Sequence, residues 1–281
     1  MAAPSLLASL LDLEDIELDM FRGRTPPGGL ARIYGGQVVA QSLAAAYRTV
    51  EGRVCHSLHA YFMRPGDPEV PILFQVERVR DGRSFGFRRV VAIQNGKQIF
   101  NLAASFQTPE TGFEHHAPPP SAPPPEDLLN EEQLRTAHGE GPGLVWPVEV
   151  RPVDPWRHDK IPTSAPTYSL WFRAREALGG DIAVNQCALA FASDLSLLDA
   201  SRRSHALDWG RNSGQVASLD HALWFHQPIR FSDWHLYVQD SPIACGGRGF
   251  NRGAIYSQDG RLVASASQDG LIRHRPTETP G

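Results

Sequence analysis

The sequence has few cysteines, no long apolar run and no excess of positive charge, and each shortage excludes a class of protein. Three cysteines (Cys55, Cys187 and Cys245) in 281 residues, without paired spacing, argue against a disulfide framework or a zinc knuckle. The formal net charge of -4 gives no reason to expect nucleic acid as a partner. No apolar stretch reaches the roughly 20 residues of a transmembrane helix, and the N-terminus lacks the basic region of a signal peptide. We therefore expect a soluble, cytoplasmic protein without a membrane partner.

Several motifs of cofactor and metal sites are also missing. The sequence contains no phosphate-binding P-loop and no H-E-x-x-H zinc motif. The stretch GGRGFNRG (residues 246–253) has the wrong glycine spacing for a dinucleotide-binding fingerprint and lies between predicted strands. We therefore predict no metal site and no bound cofactor.

Two alanine-rich stretches predict the main helices, and β-like runs surround them. Gly36–Tyr47 and Asn185–Leu198 lack proline and are rich in helix-forming residues. A short helix at Ser5–Leu13 and a strand at Ile16–Phe21 precede the first, and an acidic segment at Glu126–Thr136 predicts another helix. The β-like runs are Cys55–Met63, Pro71–Arg80, Phe85–Gln94, Gln98–Phe106, Val148–Val153, Tyr168–Ala174, Val216–Phe225, His235–Gln239, Phe250–Ser257 and Leu262–Ile272.

The two halves of the chain repeat each other. SLHAYFMRP (Ser57–Pro65) matches SLDHALWFHQP (Ser218–Pro228), and both halves carry a Gln-Asn/Asp-Gly-Lys/Arg turn at the same place. A proline-rich stretch, EHHAPPPSAPPPE, separates them and predicts an extended linker. The predicted fold is α+β, with an antiparallel sheet curled around one helix in each half and the two sheets paired edge to edge. The predicted units are residues 1–113, 114–147 (linker and connecting segment) and 148–281.

Three polar residues lie on otherwise apolar elements of the second half: Asp194, Ser218 and Gln268. A polar side chain in such a place needs a partner or a function. Together the three could hold one water molecule, with Asp194 as a general base. Gly35, Gly36 and Gln37 open the first helix, where backbone N–H groups favour an oxyanion. Each residue also has an alternative interpretation when it is considered alone: Asp194 could be a solvent-facing acid, Ser218 an ordinary strand residue and Gln268 part of a turn.

The order of motifs resembles the acyl-CoA thioesterase II (TesB-like) family. It runs through YGGQVVAQSL, HSLHAYFMRPGD, RDGRSFGFRRVVAIQNGK, FASDLSLL, DHALWFHQP and ASQDGLIR, and it spans nearly the whole chain. The resemblance implies a double hotdog fold, hydrolysis of fatty acyl-CoA by an oriented water, and an acyl-CoA substrate held in an apolar tunnel. It also implies assembly into homo-oligomers. The family's catalytic trio is an aspartate, a threonine or serine, and the glutamine of a QEG-like motif, and it carries over to Asp194, Ser218 and Gln268. This sequence has serine at the second position and QDG at the third.

Two other functions stay open at this point. An enoyl-CoA hydratase on the same fold would pair an aspartate with a histidine five residues later, where this sequence has Asp199. A non-catalytic acyl-CoA-binding protein would keep the fold without turnover, and a fold by itself does not distinguish these functions.

Overall fold

The structure is a computed structural model, and it describes residues 6–26, 30–141, 143–155, 167–203, 205 and 214–274. Ser5, the predicted first residue of the first helix, lies outside these ranges. Within them, no helix is long and apolar enough to cross a membrane. The α-helices of the described residues are α1 (Leu6–Leu11), α2 (Gly35–Tyr47), α3 (Glu131–Ala137), α4 (Ile182–Ser193) and α5 (Asp199–Arg203).

The strands of the described residues join into one antiparallel sheet. Their order across it is β1-β2-β4-β5-β6-β3-β10-β13-β12-β11-β8-β7, and β9 pairs with β13 outside this path. The strands are β1 (Glu14–Glu17), β2 (Met20–Gly23), β3 (Val54–Phe62), β4 (Ile72–Asp81), β5 (Phe85–Gln94), β6 (Lys97–Gln107), β7 (Val148–Pro152), β8 (Thr167–Ala174), β9 (Gly214–Ser218), β10 (Asp220–Phe225), β11 (His235–Cys245), β12 (Arg248–Ser257) and β13 (Leu262–His274).

Each half of the chain contributes one long helix, α2 or α4, and a run of neighbouring strands, which confirms the predicted α+β class. The two halves of the sheet meet edge to edge where β3 pairs with β10, with Leu58 opposite Leu223. This pairing makes both edges part of one ladder, so neither half-sheet keeps an open edge at the junction.

Helices α2 and α4 pack against each other and run antiparallel. The Tyr34 hydroxyl, just before α2, donates to the Phe191 carbonyl near the end of α4 at 2.8 Å. At the opposite end of the pair, the Tyr47 hydroxyl bonds the Gln186 side chain. Alanines such as Ala45 and Ala190 are fully buried between helix and sheet. The close approach of the helices therefore places the start of α2 beside the end of α4.

The predicted strand at Ile16–Phe21 is wrong, because this stretch forms a hairpin. The chain turns at Leu18-Asp19 between β1 and β2, and Asp19 adopts a positive φ of 57°. Aspartate tolerates this left-handed conformation better than most residues do. The acidic segment also divides, into a 3₁₀ turn at Pro125–Asp127 and α3, whose start is capped by Asn130.

Two of the other boundaries that differ from the prediction concern the candidate site. The helix predicted at Asn185–Leu198 ends at Ser193, which makes Asp194 its C-cap residue. The strand predicted at Val216–Phe225 breaks at Leu219, so that β9 pairs with β13 while β10 continues to β3. Ser218 is therefore the last residue of β9.

The proline-rich segment lies on the outer face of the second half-sheet. The Trp171 indole N–H donates to the Pro123 carbonyl at 2.8 Å, and the Arg151 guanidinium donates to the Pro125 carbonyl at 2.7 Å. The prolines provide no N–H of their own, so their carbonyls are the backbone groups that need partners. The segment is thus fixed to the sheet by side chains of β7 and β8.

Three glycines on the inner face of β12 and β13 let the chain after α4 approach the sheet closely. A Cβ on Gly270 would lie 2.1 Å from the Leu198 side chain, and one on Gly249 would lie 2.6 Å from Ser201. A Cβ on Gly253 would lie 2.3 Å from the ring of Tyr237, whose hydroxyl donates to the Ser193 carbonyl at 3.0 Å. These contacts fix the position of Ser193 and therefore that of Asp194, the residue that follows it in the chain.

We expect Gly253→Ala to lower the free energy of unfolding by about 1–3 kcal/mol, because the buried Tyr237 ring has little room to move. Urea unfolding followed by circular dichroism measures the change. Gly112→Ala is the matched control, since a Cβ there meets no atom within 4 Å; its effect should stay within about 0.5 kcal/mol. Equal stability of the two variants would contradict the close packing at Gly253.

Candidate active site

Asp194 lies where the two helices meet, at the end of α4 and the start of α2. Helix α4 follows the N-cap residue Asp181, whose carboxylate accepts a hydrogen bond from the Val184 N–H, and it ends one residue before Asp194. A Cβ on Gly35 would lie 2.7 Å from Asp194 Oδ2, and one on Gly36 would lie 2.3 Å from the Phe191 carbonyl oxygen. The glycine pair therefore allows the first turn of α2 to contact the carboxylate.

The structure brings Asp194, Ser218 and Gln268 together. The Gln268 side-chain Nε2 donates to Asp194 Oδ1 at 2.6 Å, and the Ser218 hydroxyl donates to the same oxygen at 3.3 Å. Ser218 and Gln268 lie on adjacent strands, because β9 pairs with β13 through Ser218 and Gly270. Gln268 lies inside the continuous strand β13, so the alternative that it belongs to a turn is wrong.

The environment of Asp194 favours a proton acceptor that works near neutral pH. The residue keeps partial contact with solvent, yet its carboxyl group is closely surrounded by protein. Burial raises the pKa of Asp194 to about 6, against hydrogen bonds from Gln268, Ser218 and the Gly36 backbone N–H that lower it. A carboxylate with such a pKa is a stronger base than an ordinary aspartate and is still ionised at neutral pH.

The three residues predicted at the start of α2 have different surroundings. Gly35 and Gly36 border the carboxylate, and the Gly36 N–H donates to it. The Gln37 backbone N–H donates to the Tyr34 carbonyl at 3.1 Å, and its side chain donates to the Thr25 hydroxyl at 2.9 Å. Gln37 thus holds the chain that enters α2, while the two glycines present backbone to the site.

A cavity of about 330 Å³ opens beside this helix start. Its walls include Tyr34, Gln37, Phe191 and Trp146, the last from the connecting segment. The Tyr34 ring meets both Trp146 and Phe191 edge to face, with centroids 4.9 and 5.0 Å apart. The volume of this cavity lies at the lower end of the range for pockets that hold small ligands. A second cavity of about 830 Å³ lies at the far end of the helix pair, near Tyr47 and Ile182.

Two features escaped the sequence analysis. His221, on β10, is fully buried and lies within hydrogen-bond distance of Gln268; a histidine at an inward position of a strand is its sequence signal. Residues 82–86, GRSFG, have the spacing G-x-S-x-G of a serine hydrolase motif. Residues 82–84 form the turn between the antiparallel strands β4 and β5, and residues 85 and 86 begin β5, whereas that motif requires a strand followed by a helix.

The described residues contain no group of three or more histidine, cysteine, aspartate or glutamate side chains that could hold a metal ion. The polar groups around Asp194 are a carboxylate, a carboxamide, a hydroxyl and backbone N–H groups. This set is suited to holding and deprotonating a water molecule.

Comparison with known proteins agrees with the motifs and the fold. Residues 144–271 match the family model described as acyl-CoA thioesterase, and residues 21–107 match its N-terminal domain. The chain is 40% identical to acyl-CoA thioesterase 2 of Haemophilus influenzae over 95% of this chain and 96% of that one. It is 42% identical to the crystal structure of an acyl-CoA thioesterase II from Mycobacterium marinum, with a TM-score of 0.82 over 96% of this chain and 99% of that one.

A more distant solved structure supports the fold alone. A protein of unknown function with a hot dog fold from Alicyclobacillus acidocaldarius superposes with a TM-score of 0.80 over 98% of this chain and 100% of that one, at 19% identity. The predicted double hotdog fold is therefore confirmed. Because the relatives match over almost the full length of both partners, the chain belongs to the acyl-CoA thioesterase II family and is an acyl-CoA thioester hydrolase.

Proposed function

We propose that this thioesterase hydrolyses fatty acyl-CoA by direct attack of one water molecule held by Asp194, Ser218 and Gln268. The convergence of Gln268 and Ser218 on a single oxygen of Asp194 supports this mechanism more than any other observation. The pair fixes the carboxylate, and the pKa of about 6 makes it a suitable proton acceptor. The three residues together form a general-base site that needs no covalent intermediate.

In the first step the water oxygen forms a bond to the thioester carbonyl carbon while Asp194 takes one water proton. The carbonyl oxygen becomes an oxyanion. In the second step the intermediate collapses, the carbon–sulfur bond breaks, and Asp194 returns its proton to the leaving sulfur of CoA. Free fatty acid and CoA result, and Asp194 is again ionised for the next turnover.

The oxyanion is proposed to lie at the start of α2. The first N–H groups of a helix have no partner within the helix, and the helix dipole favours negative charge there. Gly35 and Gly36 bring their backbone beside Asp194 with no Cβ in between, while Gln37 belongs to the wall of the neighbouring cavity. The acyl group is proposed to enter this cavity, where Tyr34, Trp146 and Phe191 supply apolar surface.

The broader organisation is proposed as predicted from the sequence. Residues 1–113 and 148–281 act as the two hotdog units, and residues 114–147 connect them, with Trp146 reaching the cavity. Assembly into homo-oligomers and a cytoplasmic location complete the proposal. Among the described residues β1 is an edge strand that pairs only with β2, and it is one place where a second copy could add.

We expect Asp194→Asn to remove at least 99% of turnover, because the amide cannot take the proton from water, and general-base catalysis contributes about 10²–10⁴-fold. Thiol release from a panel of acyl-CoAs, short to long, measures kcat for each. Asp259→Asn, an exposed aspartate of the β12–β13 turn, is the control and should leave kcat unchanged.

The same panel separates the competing functions. Saturable acyl-CoA binding without thiol release by the wild type would favour a non-catalytic binding protein. Hydration of an enoyl-CoA without thiol release would favour a hydratase. Against that function, the position where a hydratase would have a histidine is Asp199, which pairs with Arg202 at 2.9 Å on α5. Near wild-type kcat in Asp194→Asn would contradict the general-base mechanism.

The pH dependence of kcat/KM should show one acidic limb with a pKa of about 6. Water attack needs the ionised carboxylate, and burial raises the pKa of Asp194 to this value, so the rate should fall about tenfold per pH unit below it. Steady-state thiol release between pH 4.5 and 8 measures the profile, with circular dichroism to verify folding at each pH. A limb near pH 4 would mean that the carboxyl behaves as an ordinary aspartate.

The raised pKa also predicts that Asp194 destabilises the fold when ionised. In the fold the pKa is about 6, whereas an aspartate in the unfolded chain has its ordinary pKa of 3.8, so the cost is absent below about pH 4 and complete above about pH 6. At 1.36 kcal/mol per pKa unit this is up to about 3 kcal/mol. Asp194→Asn should therefore be more stable than wild type in urea at pH 8 and equal to it at pH 4. Lower stability of the variant at pH 8 would contradict this cost.

A further inference from the structure

His221 is a fully buried histidine that the proposed mechanism does not use. It lies on β10, which pairs with the strand β13 that carries Gln268. Its Nε2 is 2.8 Å from the Ser193 hydroxyl oxygen, and its Nδ1 is 3.4 Å from Gln268 Nε2. Both ring nitrogens therefore have partners, and one of these partners is a proposed catalytic residue.

The hydrogen-bond network fixes the tautomer of His221. The single hydroxyl hydrogen of Ser193 is donated to the Ala190 carbonyl at 3.0 Å, so Ser193 must accept from His221 Nε2–H. Nδ1 then carries a lone pair, which accepts from the Gln268 amide. Burial lowers the pKa of His221 to about 4, which agrees with a neutral ring near pH 7.

This arrangement commits both amide hydrogens of Gln268. One is donated to Asp194 Oδ1 and the other to His221 Nδ1. The opposite atom of the amide, Gln268 Oε1, is buried and has no hydrogen-bond partner among the described residues. A buried acceptor without a partner is costly, and the water that Asp194 deprotonates would satisfy this oxygen by donating to it.

The contact with His221 becomes decisive after Asp194 has accepted a proton. While the carboxylate is ionised, it attracts the Gln268 amide hydrogen by itself. Protonated Asp194 could instead donate to Oε1, and the amide would rotate so that Oε1 faces the acid. Rotation would place the amide NH₂ against the water, where it can only donate. His221 Nδ1 opposes this rotation because it accepts from NH₂ and repels Oε1.

We propose that His221 is a positioning residue, which holds the Gln268 amide in one orientation through both protonation states of Asp194. The inference rests on the proposed role of Asp194, Ser218 and Gln268. It makes the chain of hydrogen bonds from Ala190 through Ser193 and His221 part of the hydrolytic machinery.

Few other ionisable groups near Asp194 complicate a pH test. Tyr34, ahead of α2, and Tyr237, on β11, face it, and burial raises the pKa of both phenols well above the usual value. Both are therefore neutral across the range of interest. Asp220 and Asp269, adjacent in sequence to His221 and Gln268, point to the opposite face of the sheet. Asp220 accepts from the Asp269 backbone N–H at 2.7 Å.

The test compares His221→Phe, which removes the acceptor but keeps a ring, with His221→Asn, whose side-chain oxygen can take the place of Nδ1. We expect His221→Phe to lower kcat at least about tenfold, as displaced catalytic groups do, with KM little changed. Its acidic limb in kcat/KM should move to higher pH, because the freed amide can accept from protonated Asp194. His221→Asn should recover most of kcat and the wild-type limb.

Ser193→Ala provides a second route if the His221 variants fold poorly. It removes the acceptor for Nε2–H with little loss of volume, so the ring can adopt the other tautomer and repel the Gln268 amide. We expect a smaller loss of kcat and the same direction of pH shift. Nitrogen-15 NMR of the wild type should show a neutral His221 protonated at Nε2 between pH 6 and 8.

Wild-type kcat and pH profile in folded His221→Phe, or an Nδ1-protonated ring in the wild type, would overturn the positioning role. Loss of activity in Asp194→Asn and Gln268→Ala alongside such a result would show that only the role of His221 is wrong. Full activity in Asp194→Asn would instead reject the proposed function itself.

Discussion

The antiparallel contact between α2 and α4 is the constraint on which the candidate site depends. It brings the amino end of one helix to the carboxyl end of the other, so that a carboxylate and backbone N–H groups face each other across a few ångströms. Gly35 and Gly36 make the contact possible, since a Cβ at either position would collide with Asp194 or Phe191. Negative charge is favoured at a helix start, which is why we propose that this place holds both an ionised base and a developing oxyanion.

The duplication of the fold offers two equivalent places for such a site, and the two have diverged. In the second half Asn251 lies opposite Gln268, and in the first half the pair at the corresponding place is Arg88 and Ala104. Arg88 is buried and donates to the Thr49 hydroxyl and carbonyl, each at 2.8 Å. Thr49 comes two residues after the end of α2, and Asp194 comes one residue after the end of α4. Near the end of its helix, the second half thus has the carboxylate that we propose as a base, and the first half has a buried arginine that holds the end of α2.

The repeats and turn signals of the sequence were enough to predict the helix-and-sheet units, because they reflect local periodicity. Helix ends were harder, since Leu195 and Leu198 continue the apolar pattern beyond Ser193. Tertiary contacts end α4 there: Gln239 donates to the Ser196 hydroxyl at 2.7 Å, and Gly270 admits Leu198 against the sheet. The convergence of Asp194 with Gln268 could be suggested only through family resemblance. The role of His221 could not be seen at all, because it depends on which partner each ring nitrogen meets.

The pairing of β3 with β10 has a consequence for the order in which the chain is made. Leu58 cannot pair with Leu223 until Leu223 has been synthesised. At 5–20 residues per second, a ribosome needs roughly ten to thirty seconds to extend the chain from one residue to the other. During that time the first half has a complete strand β3 whose outer edge has no neighbour, beside a helix α2 without α4. Exposed edges of this kind recruit other strands. Synthesis of this enzyme therefore passes through a half-protein that is open to aggregation, and cells that make it in quantity need to shield that edge until the second half emerges.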